Sequence, residues 1–128
     1  AVIFNFLVGN HDAHGRNFSF IYDYSPTLGL QSSTAPLYDI VCTSYYPELS
    51  QKMAMKIGGE YESEMIRPRS FEKMADECGL AKPLVKKRIL ELADNIISAL
   101  DKIETTHPVA EGVKSTIQKH CLETLRTF

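Results

Sequence analysis

From Pro83 onward, Val85, Ile89, Leu92, Ile96, Leu100 and Ile103 recur every three or four residues. That is the period of an α-helix burying one face. Lys86, Lys87, Arg88, Glu91 and Asp94 occupy the remaining positions and read as a solvated surface. A long helix with one apolar stripe needs partners to cover it, and the neighbouring sequence offers two. Ser70 is an N-cap candidate for a segment that Gly79 can end, with Glu72 near its positive start. After Pro108, Val113, Ile117, Cys121 and Leu125 lie four apart on a last helix over about 109–126. The second half of the chain is therefore predicted to be a layer of packed helices.

The first half is patterned differently. Ala1 to Gly9 is apolar except for Asn5 and reads as the closing turns of a helix, with Gly9 as a left-handed stop. Phe18 to Tyr22 is aromatic and β-branched, and Pro36 to Val41 forms a second short run. A hairpin of these two is expected, with Asp23 to Ser33 as its long tip. Phe18, Phe20 and Tyr22 lack a basic surround for stacking nucleic-acid bases and are assigned to the core. Lys52 to Ile57 alternates polar and apolar before Gly58-Gly59, as a short extended segment does. The fold class expected is mainly α with a small β-hairpin (α+β), in one domain over residues 1–128.

Composition limits the function classes. With 128 residues, 44% hydrophobic and 23% charged, the chain suits a globular domain and excludes collagen and disorder. A net charge of -2 gives no whole-domain attraction to nucleic acid or to an anionic membrane, and no apolar run reaches the length of a membrane span. Cys42, Cys78 and Cys121 are odd in number and far apart, so reduced thiols in a cytoplasmic, soluble protein are expected.

Chemistry is concentrated in one stretch. Residues 9–17 read Gly-Asn-His-Asp-Ala-His-Gly-Arg-Asn, between an apolar helix and a strand. A hydrogen-bonded turn accounts for this composition without any chemistry, which would leave a catalytically silent binding module. The spacing of Asp12 and Asn17, D-x-x-x-x-N, is that of the protein-kinase catalytic loop. There a carboxylate orients a substrate hydroxyl, and an amide oxygen five residues on meets Mg²⁺. Asp39, beyond a strand and a turn, stands where a second metal-binding carboxylate is needed. The pair His11-Asp12 also matches the HD pair of a metal-dependent phosphohydrolase, with His14 or Asp39 completing the ligands.

The run Asn10 to Phe20, followed by Ala35-Pro-Leu-Tyr-Asp-Ile40, resembles the C-terminal lobe of the HipA family of serine/threonine kinases, toxins of bacterial toxin-antitoxin modules. The likeness extends more loosely through Lys52 to Gly59 and Arg67 to Phe71 to the terminal helices. It implies a protein-kinase-like C-lobe without its N-lobe, in which Asp12 is the catalytic base and Asn17 and Asp39 hold Mg²⁺ and, through it, ATP. His14 takes the place of a phosphate-contacting Lys, and Arg16 stands where family members often carry Lys, a change from point charge to planar fork. The family's nucleotide-phosphate loop and ATP-binding Lys have no counterpart in these residues, and Gly58-Gly59 lacks the pattern of such a loop. This lobe alone is therefore expected to be inactive. The resemblance also implies a small DNA-binding antitoxin of the HipB type as partner, and a protein Ser or Thr as phosphate acceptor, on an aminoacyl-tRNA synthetase in one well-known member. No direct contact of this lobe with nucleic acid or membrane is expected.

Overall fold

In a computed structural model describing residues 1–128, the helical periodicity of the second half is realised as three helices preceded by a short one and two hairpins. In chain order these are α1 (Val2–Leu7), β1 (Phe20–Ser25), β2 (Gly29–Thr34), β3 (Lys52–Ile57), β4 (Glu60–Glu62), α2 (Pro68–Glu77), α3 (Lys82–Leu100) and α4 (Pro108–Thr127). The architecture is α+β, four helices with two small antiparallel hairpins. No helix is long and apolar enough to cross a membrane.

The core joins the two ends of the chain. Phe6 and Leu7 of α1, Met53 and Ile57 of β3, Phe71 and Ala75 of α2, Val85, Ile89 and Ala93 of α3 and Cys121 of α4 form one buried cluster. Aromatic edges lock it: Phe71 meets Phe6 at 5.2 Å and Phe128 at 5.5 Å between ring centres, both edge-to-face. Leu92, Ile96, Ile117 and Leu125 from the predicted stripes pack on this cluster while partly buried. Burial pushes the Cys121 thiol up to about 11. All three cysteines are free, Cys42 and Cys121 buried and Cys78 exposed.

Several expectations are corrected. The first hairpin pairs β1 with β2, Phe20 opposite Thr34 through Ser25 opposite Gly29, so Pro36 to Val41 is not its second strand. The turn is only Pro26-Thr27-Leu28, and the Ser25 hydroxyl accepts from the Thr27 and Leu28 N–H groups. Pro36 has no N–H to give a ladder, and the segment after it is bound to the polar loop instead. Phe20 and Tyr22 are not core: they are 60% and 66% exposed, because the hairpin has no layer packed over it. Phe18, at its base, is half-buried. The N-cap of α2 is Arg67 and not Ser70; Pro68 opens the helix, and the Ser70 hydroxyl accepts from the Arg67 N–H at 3.3 Å. Helix α3 ends at Leu100, leaving Ile103 exposed.

Lys52 to Ile57 is a strand as its alternation predicts, with Met53 and Ile57 inward. Gly58 turns it back at φ 57°, and a side chain there would collide with the Ser70 carbonyl, so the turn can lie on the α2 backbone only as glycine. The Ala54 N–H donates to the His11 carbonyl at 2.7 Å, tying this hairpin to the polar loop.

Candidate active site

The polar loop begins where α1 ends. Gly9 adopts φ 69° and packs against Ser44 so closely that any side chain would clash. Its carbonyl accepts from the Ser44 N–H and the Thr43 hydroxyl, both at 3.1 Å, and Thr43 Oγ1 accepts from the His11 N–H at 2.8 Å. The loop is thereby laid along residues 43–44. A 3₁₀ turn over Gly15–Asn17 then swings Asn17 back into the fold, where its Oδ1 accepts from the His14 N–H at 3.0 Å.

Asn17 and Asp39, 22 residues apart in sequence, meet: Asn17 Nδ2 donates to Asp39 Oδ2 at 2.6 Å. Asp39 is the only non-glycine residue with positive φ, 55°, a left-handed conformation that Asp tolerates better than most residues. Its carbonyl accepts from Asn10 Nδ2 at 3.1 Å, and Asn10 Nδ2 also donates to Asn5 Oδ1 at 2.9 Å. One residue before, the Tyr38 hydroxyl donates to the Arg16 carbonyl at 2.6 Å and pairs with Ser19 Oγ at 2.9 Å. The segment that fails to enter the first hairpin is thus bonded side by side with the loop.

Asp12 lies exposed on this loop, and its carboxylate takes no hydrogen bond from the protein. His14 is half-buried, with a buried Nδ1 that has no partner. Beside Asn17, a cavity of about 520 Å³ is walled by Phe18, Phe20, Ala35, Pro36 and Leu37 at the base of the first hairpin. Its mixture of apolar wall and one polar amide suits a flat, partly apolar ligand. A larger cavity, about 630 Å³, is lined by His11, Gln51, Arg67, His120 and Phe128 and does not touch Asp12, Asn17 or Asp39.

His11 faces that larger space. Burial lowers its pKa below the ordinary histidine value, with the Ser50 backbone opposing, and its buried Nδ1 has no hydrogen-bond partner. His120 is lowered too, by burial first and then by the nearby His11 charge, with Glu123 and a bond toward the Leu7 backbone opposing. Its ring packs edge-on to Phe6 at 4.8 Å. In both imidazoles burial therefore disfavours the charged form.

Mg²⁺ takes hard oxygen donors and is held by one or two protein carboxylates together with nucleotide phosphates. The Asp39 carboxylate fits that donor set, with Oδ1 outside its bond to Asn17; Asn17 turns Nδ2 to Asp39, and its Oδ1, the atom that could meet a cation, accepts from the His14 N–H. By contrast, no group of three His, Cys, Asp or Glu side chains converges anywhere. The metal-phosphohydrolase reading requires such a convergence of His11, Asp12, His14 or Asp39, and these residues do not assemble it.

Asn5, Asn10 and Tyr38 support the site, and the sequence alone gives them no role in it. In the sequence Asn5 is one polar residue within an apolar run, and Asn10 stands in a stretch of turn formers. A buried asparagine in an otherwise apolar helix is itself a signal, since its amide must find partners inside.

A family model described as "HipA-like C-terminal domain" matches residues 1–100. Among similar proteins, one of Sinorhizobium fredii provisionally named kinase Y4mE is 42% identical over 104 residues, 80% of this chain and 23% of the relative. The serine/threonine-protein kinase toxin HipA of Shewanella oneidensis is 29% identical over 118 residues, 92% of this chain and 26% of the relative. A solved structure of the Shewanella oneidensis HipA, HipB and operator DNA complex contains a chain that superposes with a TM-score of 0.80 at 27% identity, covering 98% of this chain and 30% of that one. The chain thus spans about a quarter of the length of the relatives it matches.

Proposed function

The chain belongs to the HipA-like C-terminal domain family, and from that premise we propose that it is the metal- and acceptor-binding lobe of a serine/threonine protein kinase, the toxin of a toxin-antitoxin pair. The observation that carries this reading is the meeting of Asn17 and Asp39 at 2.6 Å in a loop whose exposed Asp12 stands five residues before Asn17. Phosphoryl transfer from ATP demands positioning and charge neutralisation more than covalent chemistry, and the three residues divide that work. Asp12 orients the acceptor Ser or Thr hydroxyl and takes its proton, which its freedom from protein hydrogen bonds leaves it able to do. Asn17 and Asp39 would hold Mg²⁺, which when bound neutralises charge on the nucleotide phosphates. His14, two residues after Asp12, offers an imidazole to the phosphate side. The cavity beside Asn17 would take the nucleotide base against Phe18, Phe20 and Leu37.

The solved relative was captured with HipB and operator DNA, which supports a HipB-type antitoxin as partner and a cytoplasmic setting. The acceptor class is a protein hydroxyl, with an aminoacyl-tRNA synthetase as the first substrate to try. The test is phosphate transfer from labelled ATP by the full-length protein, with Asp12→Ala and Asp39→Ala beside it. Transfer that both substitutions abolish supports the assignment. Transfer that survives in Asp39→Ala removes it from the metal site. Residues 1–128 alone should give no turnover, because the phosphate-cradling loop and its Lys are not among them; turnover by these residues alone would sink the two-lobe scheme.

A further inference from the structure

Asp39 is held from two sides, and only one of them is explained by the chemistry proposed for it. Its carboxylate meets Asn17. Its backbone carbonyl meets Asn10, a residue 2% exposed whose side chain reaches Asp39 only through that carbonyl. The Asn10 amide group divides its two hydrogens between the Asp39 carbonyl at 3.1 Å and Asn5 Oδ1 at 2.9 Å, and the Asn10 backbone N–H donates to the Asn5 carbonyl at 2.9 Å. Asn5, 4% exposed, is anchored in α1. A continuous chain of amides thus runs from α1 to the one non-glycine residue in the left-handed region. Such a conformation persists where surrounding contacts over-determine it, and the carbonyl is the atom whose direction the backbone angles of residues 39 and 40 set.

We infer that Asn10 is a positioning residue: through the Asp39 carbonyl it fixes the left-handed turn that aims the Asp39 carboxylate at the cation site, with Asn5 holding Asn10 in place. This inference rests on the kinase reading for the destination of the carboxylate, and on hydrogen bonds alone for the restraint. A buried asparagine kept only for packing would leave the aim of Asp39 unchanged when replaced. A positioning asparagine would not, since outer-shell partners of metal ligands typically contribute about 10- to 100-fold in metal affinity.

The experiment titrates Mn²⁺, in the presence of ATP, into the full-length protein and into Asn10→Ala, Asn5→Ala and Thr43→Val, and measures the melting temperature of each. Thr43 is the control, because its buried hydroxyl ties the same loop to the same segment without touching Asp39. Asn10→Ala should weaken Mn²⁺ about 10- to 100-fold, more than its change in melting temperature accounts for. Asn5→Ala should act in the same direction and less strongly. Thr43→Val should lower the melting temperature without a comparable loss of Mn²⁺. Equal losses in Asn10→Ala and Thr43→Val would mean general loosening and overturn the inference, as would unchanged Mn²⁺ affinity in Asn10→Ala. If Asn10→Ala does not fold, Asn5→Ala decides against the same control. Should the unsubstituted protein bind Mn²⁺ with ATP no better than Asp39→Ala does, the kinase reading itself falls and takes this inference with it.

Discussion

The polar loop of residues 9–17 and the helical layer of α2, α3 and α4 each bury one side, and they cohere by opposite means. The layer is held by Phe71, Ala75, Val85, Ile89 and Cys121, whose contacts are undirected and depend on volume. The loop is held by Asn5, Asn10, Asn17, Thr43 and Tyr38, whose bonds depend on direction. Apolar packing tolerates small displacements of a side chain, whereas an amide that loses its partner inside the protein costs about 1–3 kcal/mol. A site built from directed bonds is therefore placed accurately, and it is sensitive to single atoms. Its stability comes from the layer and its geometry from the loop.

Substitutions that separate stability from geometry test this contrast. The largest effect should come from Asp39→Asn, which keeps the shape and the tolerance of positive φ but removes the charge. In the full-length protein, phosphate transfer should fall by about a thousandfold, roughly 4 kcal/mol of barrier, while the melting temperature holds. A melting point that falls with activity would erase the distinction. The reverse pattern is expected from Phe71→Ala. Removing a ring 2% exposed, in contact with Phe6 and Phe128, should cost about 3–5 kcal/mol in denaturant unfolding. The fraction that remains folded should keep its activity per molecule.

A smaller effect is expected from pH. Burial lowers the pKa of His120, and of His11 beside it, so the folded state resists protons that the unfolded chain accepts near pH 6.5. Stability should be full above that pH and decline as pH falls through the histidine range. His120→Phe should flatten the decline, measured as melting temperature from pH 7.5 to 5; an unchanged slope would show that these imidazoles do not couple to folding. The least change belongs to the first hairpin. Tyr22→Ser, at a position 66% exposed, should alter stability by no more than about 0.5 kcal/mol, and a larger loss would show that something covers this ribbon.

Periodicity made the layer legible. Helices α3 and α4 are readable from recurring apolar positions, because a buried face repeats whatever its partner is, and α2 from the residues at its ends. Boundaries were less so: Arg67 displaced Ser70 as N-cap because Pro68 suits only the first turn. The hairpin misread had another cause. Pro36 to Val41 has the β-branched and aromatic composition of a strand, but Tyr38 and Asp39 are bonded to Arg16, Asn10 and Asn17, far away in sequence. Tertiary bonds of that kind leave no periodic trace. Phe20 and Tyr22 were assigned to the core by residue type, although type says nothing of whether a second layer exists. Within the site, Asn17 and Asp39 could be picked out by spacing, and the structure brings them together. Asn5 and Asn10 could not, since what distinguishes them is burial.

The contact between the first and last helices also sets a timetable. Phe6 packs on His120, and the Cys121 thiol lies 3.7 Å from the Leu7 carbonyl, 114 positions away. Contacts of such long separation form late, and during synthesis α1 leaves the ribosome long before α4 does. Until α4 arrives, Phe6 and Leu7 lack one wall. The nascent chain therefore completes the packing behind the polar loop only once Cys121 has been made, and a ribosome stalled before that residue would carry the loop without the wall that His120 and Cys121 give α1.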